Sequence, residues 1–87
     1  MIERADGVTR IVTPSDTYIT SSSLNLLEEK LDKDEFLRCH KSYIVRMDAI
    51  KKLKVYGRWT YTVYLKDTKE TALMTARKYE EIKERFG

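Results

Sequence analysis

The sequence predicts a mostly β, antiparallel fold with one short internal helix and a C-terminal helix. Three observations carry this. Apolar and polar residues alternate with a period of two over Trp59 to Lys66, the pattern of a half-buried strand. Short β-branched and aromatic runs are punctuated by turn-forming residues at Asp6-Gly7, Pro14-Ser15-Asp16, Gly57-Arg58 and Asp67-Thr68. Apolar residues at helical spacing occur in two stretches, Leu24 to Leu31 and Ala76 to Phe86.

Asp6-Gly7 marks a turn, where glycine adopts positive φ without a steric penalty. Arg10 to Thr13 is then the first predicted strand and Thr17 to Thr20 its hairpin partner, joined through Pro14-Ser15-Asp16. Ser21, Ser22 and Ser23 offer N-cap hydroxyls to a short helix. Leu24, Leu27 and Leu31 line one side of that helix, a stripe suited to core packing, and Glu28 and Glu29 lie opposite. Asp32 to Glu35 is a polar exit loop. Phe36 to Ser42 reads as a loop carrying polar side chains, anchored by the strand Tyr43 to Val45. After a break at Met47-Asp48, Ile50 to Tyr56 is a strand with Leu53 and Val55 on one face and Lys52 and Lys54 on the other. Trp59, Tyr61, Val63 and Leu65 alternate with Thr60, Thr62, Tyr64 and Lys66 in the next strand, and Thr71 to Met74 returns beside it as a meander. Thr75 caps a final helix over Ala76 to Arg85, with Ala76, Tyr79, Ile82 and Phe86 on its apolar stripe.

Eighty-seven residues form one domain, 1–87, with a thin core: a chain this short buries only about 60–65% of its extended surface. The net charge of +3 is unevenly distributed. Residues 1–35 carry a net −4 and residues 36–87 a net +7. The segment Phe36 to Thr60 holds seven Lys/Arg and one acid, Asp48, which is the electrostatic footprint of a nucleic-acid binder. The alternative is a solvated strand face, since lysine also blunts sheet edges. Cys39, the one cysteine, cannot pair within the chain and suits a reducing compartment such as the cytoplasm. No run is long and apolar enough to span a membrane, and no secretory leader is visible.

No catalytic constellation, metal-ligand spacing or glycine-rich phosphate loop is evident, so neither enzyme activity, a metal nor a cofactor is expected. Cys39 and His40 are neighbours, but adjacent residues on an extended chain point to opposite faces and do not make a nucleophile–base pair.

The run Phe36-Leu37-Arg38-Cys39-His40-Lys41-Ser42-Tyr43-Ile44-Val45, with Ile50 after it, resembles the signature of the LytTR DNA-binding domain. That signature is Phe, any residue, Arg, an apolar residue, His, Arg or Asn, Ser, an aromatic, an apolar residue, Val, Asn, and an Ile a few positions on. The leucine-rich helix ending Leu31-Asp32 and the C-terminal Thr75-Ala76-Arg77-Lys78-Tyr79 are similar to the family's segments there, so the resemblance covers nearly the whole chain. Arg46 stands where Asn is usual and Thr75 where Ser is usual. Family domains commonly begin a strand earlier, so an N-terminally shortened piece of a longer regulator is expected.

The resemblance implies a β-β-β sandwich of stacked antiparallel sheets. It implies sequence-specific double-stranded DNA binding by a bacterial transcription regulator of a two-component system, commonly behind a receiver domain. Such domains read the grooves with loop side chains, often in two copies on direct repeats, with DNA bending. Carried over by position, three places face DNA: Thr9 and Arg10 in the loop into the first strand; Arg38, Lys41 and Ser42; and Thr75, Arg77 and Lys78. The chemistry is compatible. Arg77 can fork onto guanine O6 and N7, and Lys41 can reach the same acceptors. Arg38 and Ser42 suit phosphate oxygens, and Thr75 lies at a helix start whose N–H groups favour phosphate.

Other roles compete. Arg38 can pair with a carboxylate of the 32–35 loop, His40 can hold the loop by a buried hydrogen bond, and Cys39 can act as a small core hydrophobe. Trp59, Tyr61 and Tyr64 fit sheet packing as well as base stacking. Lys51, Lys52 and Lys54 serve either edge protection or remote phosphate contacts. The alternative functions are a small basic β module for RNA or single strands, or a protein-interaction domain.

Overall fold

The computed structural model describes residues 1–85. Among them the chain runs β1 (Ile2–Ala5), β2 (Val8–Val12), β3 (Thr17–Thr20), α1 (Leu24–Lys30), β4 (Phe36–His40), β5 (Tyr43–Arg46), a 3-10 turn (Met47–Ala49), β6 (Ile50–Gly57), β7 (Thr60–Leu65), β8 (Thr71–Thr75) and α2 (Ala76–Ile82), with a last 3-10 turn at Lys83–Arg85. The strands form a five-stranded sheet in the order β3-β2-β1-β5-β4 and a three-stranded sheet in the order β6-β7-β8, antiparallel throughout. This is the expected mostly β architecture with two short helices.

β5 explains how the layers stack. Ile44 and Val45 are adjacent, so they point to opposite faces, yet they are only 1% and 0% exposed. Val45, with Leu37 and Cys39, packs on Val63, Leu65, Ala72 and Met74 of the three-stranded sheet and on Ile82 of α2. Ile44 packs the other way, with Ile2 and with Leu24 of α1. The β4–β5 hairpin is therefore the middle layer, between α1 and the second sheet. Each such fully buried aliphatic side chain contributes about 1.5–3 kcal/mol.

Local signals set the element ends. Asp6 and Gly7 have φ of 53° and 78°, and Ala5 pairs with Val8, so a two-residue turn of the primed kind closes the first hairpin. The Ser23 hydroxyl accepts the Leu26 N–H at 3.2 Å and caps α1, a contact of about 1 kcal/mol.

Several sequence expectations about the elements need correction. β1 was not foreseen; it pairs with β2 and with β5, which lies some forty residues away in sequence. Phe36–His40 is a strand, not a loop: Leu37 and Cys39 are buried while Phe36, Arg38 and His40 alternate with them. β5 and β6 belong to different sheets, so the meander comprises β6, β7 and β8 alone. α2 ends at Ile82 rather than Arg85. The expected stripe residue Phe86 lies outside the described residues.

Candidate nucleic-acid interface

Antiparallel pairing gathers several turns at one end of the molecule. The Ser42 carbonyl accepts the Arg4 N–H at 2.9 Å, so the turns β1–β2 (Asp6-Gly7) and β4–β5 (Lys41-Ser42) lie side by side. Thr9 pairs with Thr20, which brings Ser21 and Ser22 to the same end. α2 packs against β4, and its start is tied to the β6–β7 turn, because the Ala76 N–H donates to the Trp59 carbonyl at 2.9 Å.

The β4–β5 turn is held on every side. The Arg38 guanidinium donates to the carbonyls of His40, at 3.0 Å, and Lys41, and also to Asn25 Oδ1 at 2.9 Å and Glu28 Oε1 at 3.1 Å. Arg38 thus pairs with α1, not with the 32–35 loop, and its donors serve the turn. Across the turn, the Ser42 N–H donates to His40 Nδ1 at 3.1 Å. That bond requires a neutral ring with its proton on Nε2. Burial first, then the charges of Lys41 and Arg38, holds the His40 pKa below its usual value. The expected role of His40 as the group that holds the loop matches this geometry. What the turn presents to solvent is Lys41, exposed and in no ion pair among the described residues.

The second group lies at the start of α2. The Thr75 hydroxyl accepts the Lys78 N–H at 3.1 Å, so it is already used as a helix cap. Arg77 is exposed and forms no ion pair among the described residues. Lys78 lies 3.5 Å from Glu81, on the helix that packs against β4.

Thr9 and Arg10 are placed differently from expectation. Both lie inside β2, not in a loop. Thr9 is 0% exposed; its hydroxyl donates to the Ser22 carbonyl at 2.6 Å and accepts from Arg4 Nη1 at 2.9 Å. Arg10 is clamped between Glu3 and Glu70, the latter at 3.1 Å. A threonine is small, and its hydroxyl is satisfied as donor and acceptor by Ser22 and Arg4, which is why burial suits it. Sequence reasoning missed Arg4, which binds the carbonyls of Ser21 and Ser22 at 3.3 Å each and holds that segment to the sheet. Its only signal was an arginine flanking the Asp6-Gly7 turn.

Other singled-out residues fall elsewhere. Cys39 is fully buried, and burial pushes its thiol up to about 12, so it behaves as a core hydrophobe. Tyr61 packs on Tyr79 with ring centroids 4.9 Å apart, as sheet packing predicts. Tyr64 lies under the ammonium groups of Lys52 and Lys54 at 5.0 and 5.7 Å. Trp59 is not in a strand; it is a turn residue, 72% exposed. Val55, expected to share a buried face with Leu53, is 78% exposed. Arg46 pairs with Asp48 at the opposite end. An apolar groove of about 600 Å³, lined by Ile11, Leu27, Leu31 and Phe36 among others, lies on the α1 side of the five-stranded sheet and carries none of the candidate cations.

A family model for the LytTr DNA-binding domain matches residues 1–87. The chain is 31% identical to the transcriptional regulatory protein NatR of Bacillus subtilis over 78 residues, which cover 90% of this chain and 34% of NatR. It is 37% identical to the transcriptional regulatory protein LytR of Staphylococcus aureus over 60 residues, covering 69% of this chain and 24% of LytR. The chain therefore spans about a third or less of the length of these curated relatives. Among solved structures, the LytTr DNA-binding domain of a methyl-accepting/DNA response regulator from Bacillus cereus superposes with a TM-score of 0.81 at 27% identity, over 99% of this chain and 78% of that one.

Proposed function

The chain belongs to the LytTr DNA-binding domain family, and we propose that it is the sequence-specific, double-stranded DNA-binding output domain of a longer bacterial transcription regulator. The observation that carries this reading is that α2, whose start bears Arg77, packs against β4, whose end leads into the turn bearing Lys41. Both side chains are exposed and charged, and both stand on rigid, hydrogen-bonded backbone, which groove reading needs.

In this reading Arg77 and Lys41 meet base edges, and Ser42, Thr75 and Lys78 meet phosphate. Thr9, Arg10 and Arg38 act from behind, by fixing the strands and turns that carry the contact residues. Two copies bind direct repeats, and a receiver or other signal-input domain precedes the chain. The names of the relatives, transcriptional regulatory proteins and the sensory transduction protein LytT of Bacillus anthracis, support a role in signal-responsive transcription, and the cytoplasm is the compartment where such a regulator meets DNA.

The test is a selection from random duplexes, followed by affinities for the selected duplex, a scrambled duplex and a single strand at one salt concentration. The selected duplex should bind tightest. With about four to six phosphate contacts, log affinity should fall against log salt with a slope of roughly −4 to −5. Tighter binding of the single strand, or a slope near zero, would contradict the reading.

A further inference from the structure

We propose that the β6–β7 turn, Arg58 and Trp59, is a further DNA-contact element that grips the sugar–phosphate backbone beside the bases met by Arg77. This rests on the DNA-binding reading above and extends the contact surface to a hairpin outside the three places drawn from the family resemblance.

Four observations converge on it. First, position: the Trp59 carbonyl accepts the Ala76 N–H at 2.9 Å, so the turn is fastened to the residue next to Arg77. Second, backbone: Trp59 has a φ of 66°, a left-handed conformation uncommon for a bulky side chain. Such strained residues gather at functional sites. Third, exposure: Trp59 is 72% exposed, Tyr56 68% and Val55 78%, although tryptophan is normally well buried. The fold holds a large aromatic out in water. Fourth, charge: from Ile50 to Lys66 the hairpin carries Lys51, Lys52, Lys54, Arg58 and Lys66 and no carboxylate. None of these cations forms an ion pair among the described residues. Lys52 and Lys54 rest over Tyr64, and the Arg58 guanidinium lies 5.9 Å from the Trp59 ring.

The chemistry fits a polyanionic duplex. Arg58, kept on the indole face, presents its donors to phosphate oxygens. The indole body packs on deoxyribose, and its N–H donates to a phosphate oxygen. Neither contact carries sequence information, so the turn adds affinity beside the reading groups. Tryptophan, tyrosine and arginine also anchor protein interfaces, but a hairpin without a single acid favours phosphate.

Trp59 is the one tryptophan in the chain, so its emission reports on this turn alone. The full chain is titrated with the selected duplex while two signals are followed: anisotropy of the labelled duplex and quenching of Trp59 by acrylamide. Quenching should fall in step with binding. Arg58→Ala and Trp59→Gly should each weaken the selected and scrambled duplexes alike, by about threefold to tenfold, and Arg58→Ala should lower the salt slope by about 1. Glycine suits the φ of 66°, and no contact is lost from the core, so Trp59→Gly should melt no lower than the parent. If the duplex binds while quenching and both variants' affinities stay unchanged, the turn is not in contact, though DNA binding itself stands. A loss confined to the selected duplex would refute a backbone grip. Protection of Trp59 that grows with protein concentration in the absence of duplex would assign the turn to a second copy instead. If no duplex binds at all, both readings fall together.

Discussion

The two ends of this molecule treat their cations in opposite ways. At the end formed by the 13–16, 46–49 and 66–70 turns, arginines are neutralised within the fold. Arg46 forms two hydrogen bonds to Asp48 at 3.1 Å, and Glu70 reaches back to Arg10, whose other partner is Glu3. At the other end Lys41, Arg58 and Arg77 are exposed without an ion pair among the described residues, while Arg38 and Arg4 spend their donors holding the backbone that carries such groups. The difference separates two uses of one residue type. An arginine within reach of a carboxylate is a structural tie. One on a rigid turn that forms no ion pair among the described residues is available to an external anion.

The largest effect that follows is on binding. Arg77→Ala should cost about 1–3 kcal/mol of affinity for the selected duplex and relax preference at one base pair, with the melting temperature nearly unchanged. Lys41→Ala should behave the same way, and Lys41→Arg should keep affinity but shift base preference, because a fork replaces a point charge. A Lys41→Ala protein that melts far below the parent would make that turn structural and erase the contrast.

The reverse pattern is expected at the other end. Arg10→Ala should lower the melting temperature, since Glu3 and Glu70 then lose their common partner, while duplex affinity stays within about twofold because the guanidinium is already committed to two carboxylates. Binding lost in proportion to that for Arg77→Ala would show that Arg10 also meets DNA.

The smallest effect is a pH dependence. Burial lowers the His40 pKa, so the unfolded chain takes up a proton on this residue more readily than the folded one. The neutral ring's contribution to stability is whole above the unfolded value of about 6.5 and is lost as the pH falls through the lower folded value. Protonation also breaks the Ser42 N–H to Nδ1 bond. Thermal melts from pH 7 to 5 should therefore fall more steeply for the parent than for His40→Gln. Parallel curves would remove His40 as the clasp of the β4–β5 turn.

Much of this was legible from residues alone. The hairpin around Pro14, the Ser23 cap, the β6-β7-β8 meander and the Thr75 cap each rest on a local signal, and each stands in the structure. What escaped depends on distant partners. β1 is a short strand whose identity comes from pairing with Tyr43 and Ile44. Phe36–His40 looked like a loop because Arg38 and His40 are polar, but in the strand Arg38 is satisfied by α1 and the turn carbonyls, and His40 by the Ser42 N–H. Trp59 continued an alternating pattern into what is a two-residue turn between Gly57 and Thr60. Of the candidate site, Lys41 and Arg77 were legible as exposed cations at element ends. The internal commitments of Thr9 and Arg10 were not, because they involve Ser22 and Glu70, far from them in sequence, while Arg38 takes its carboxylate from Glu28 of α1 rather than from the 32–35 loop.

The contrast between the ends is tested most directly by backbone amide shifts of the 15N-labelled chain during titration with the selected duplex. Large shifts should concentrate at residues 6–7, 21–22, 40–42, 58–59 and 75–78. Shifts concentrated instead at residues 13–16, 46–49 and 66–70 would contradict the account, because DNA would then be meeting the end whose arginines are already neutralised.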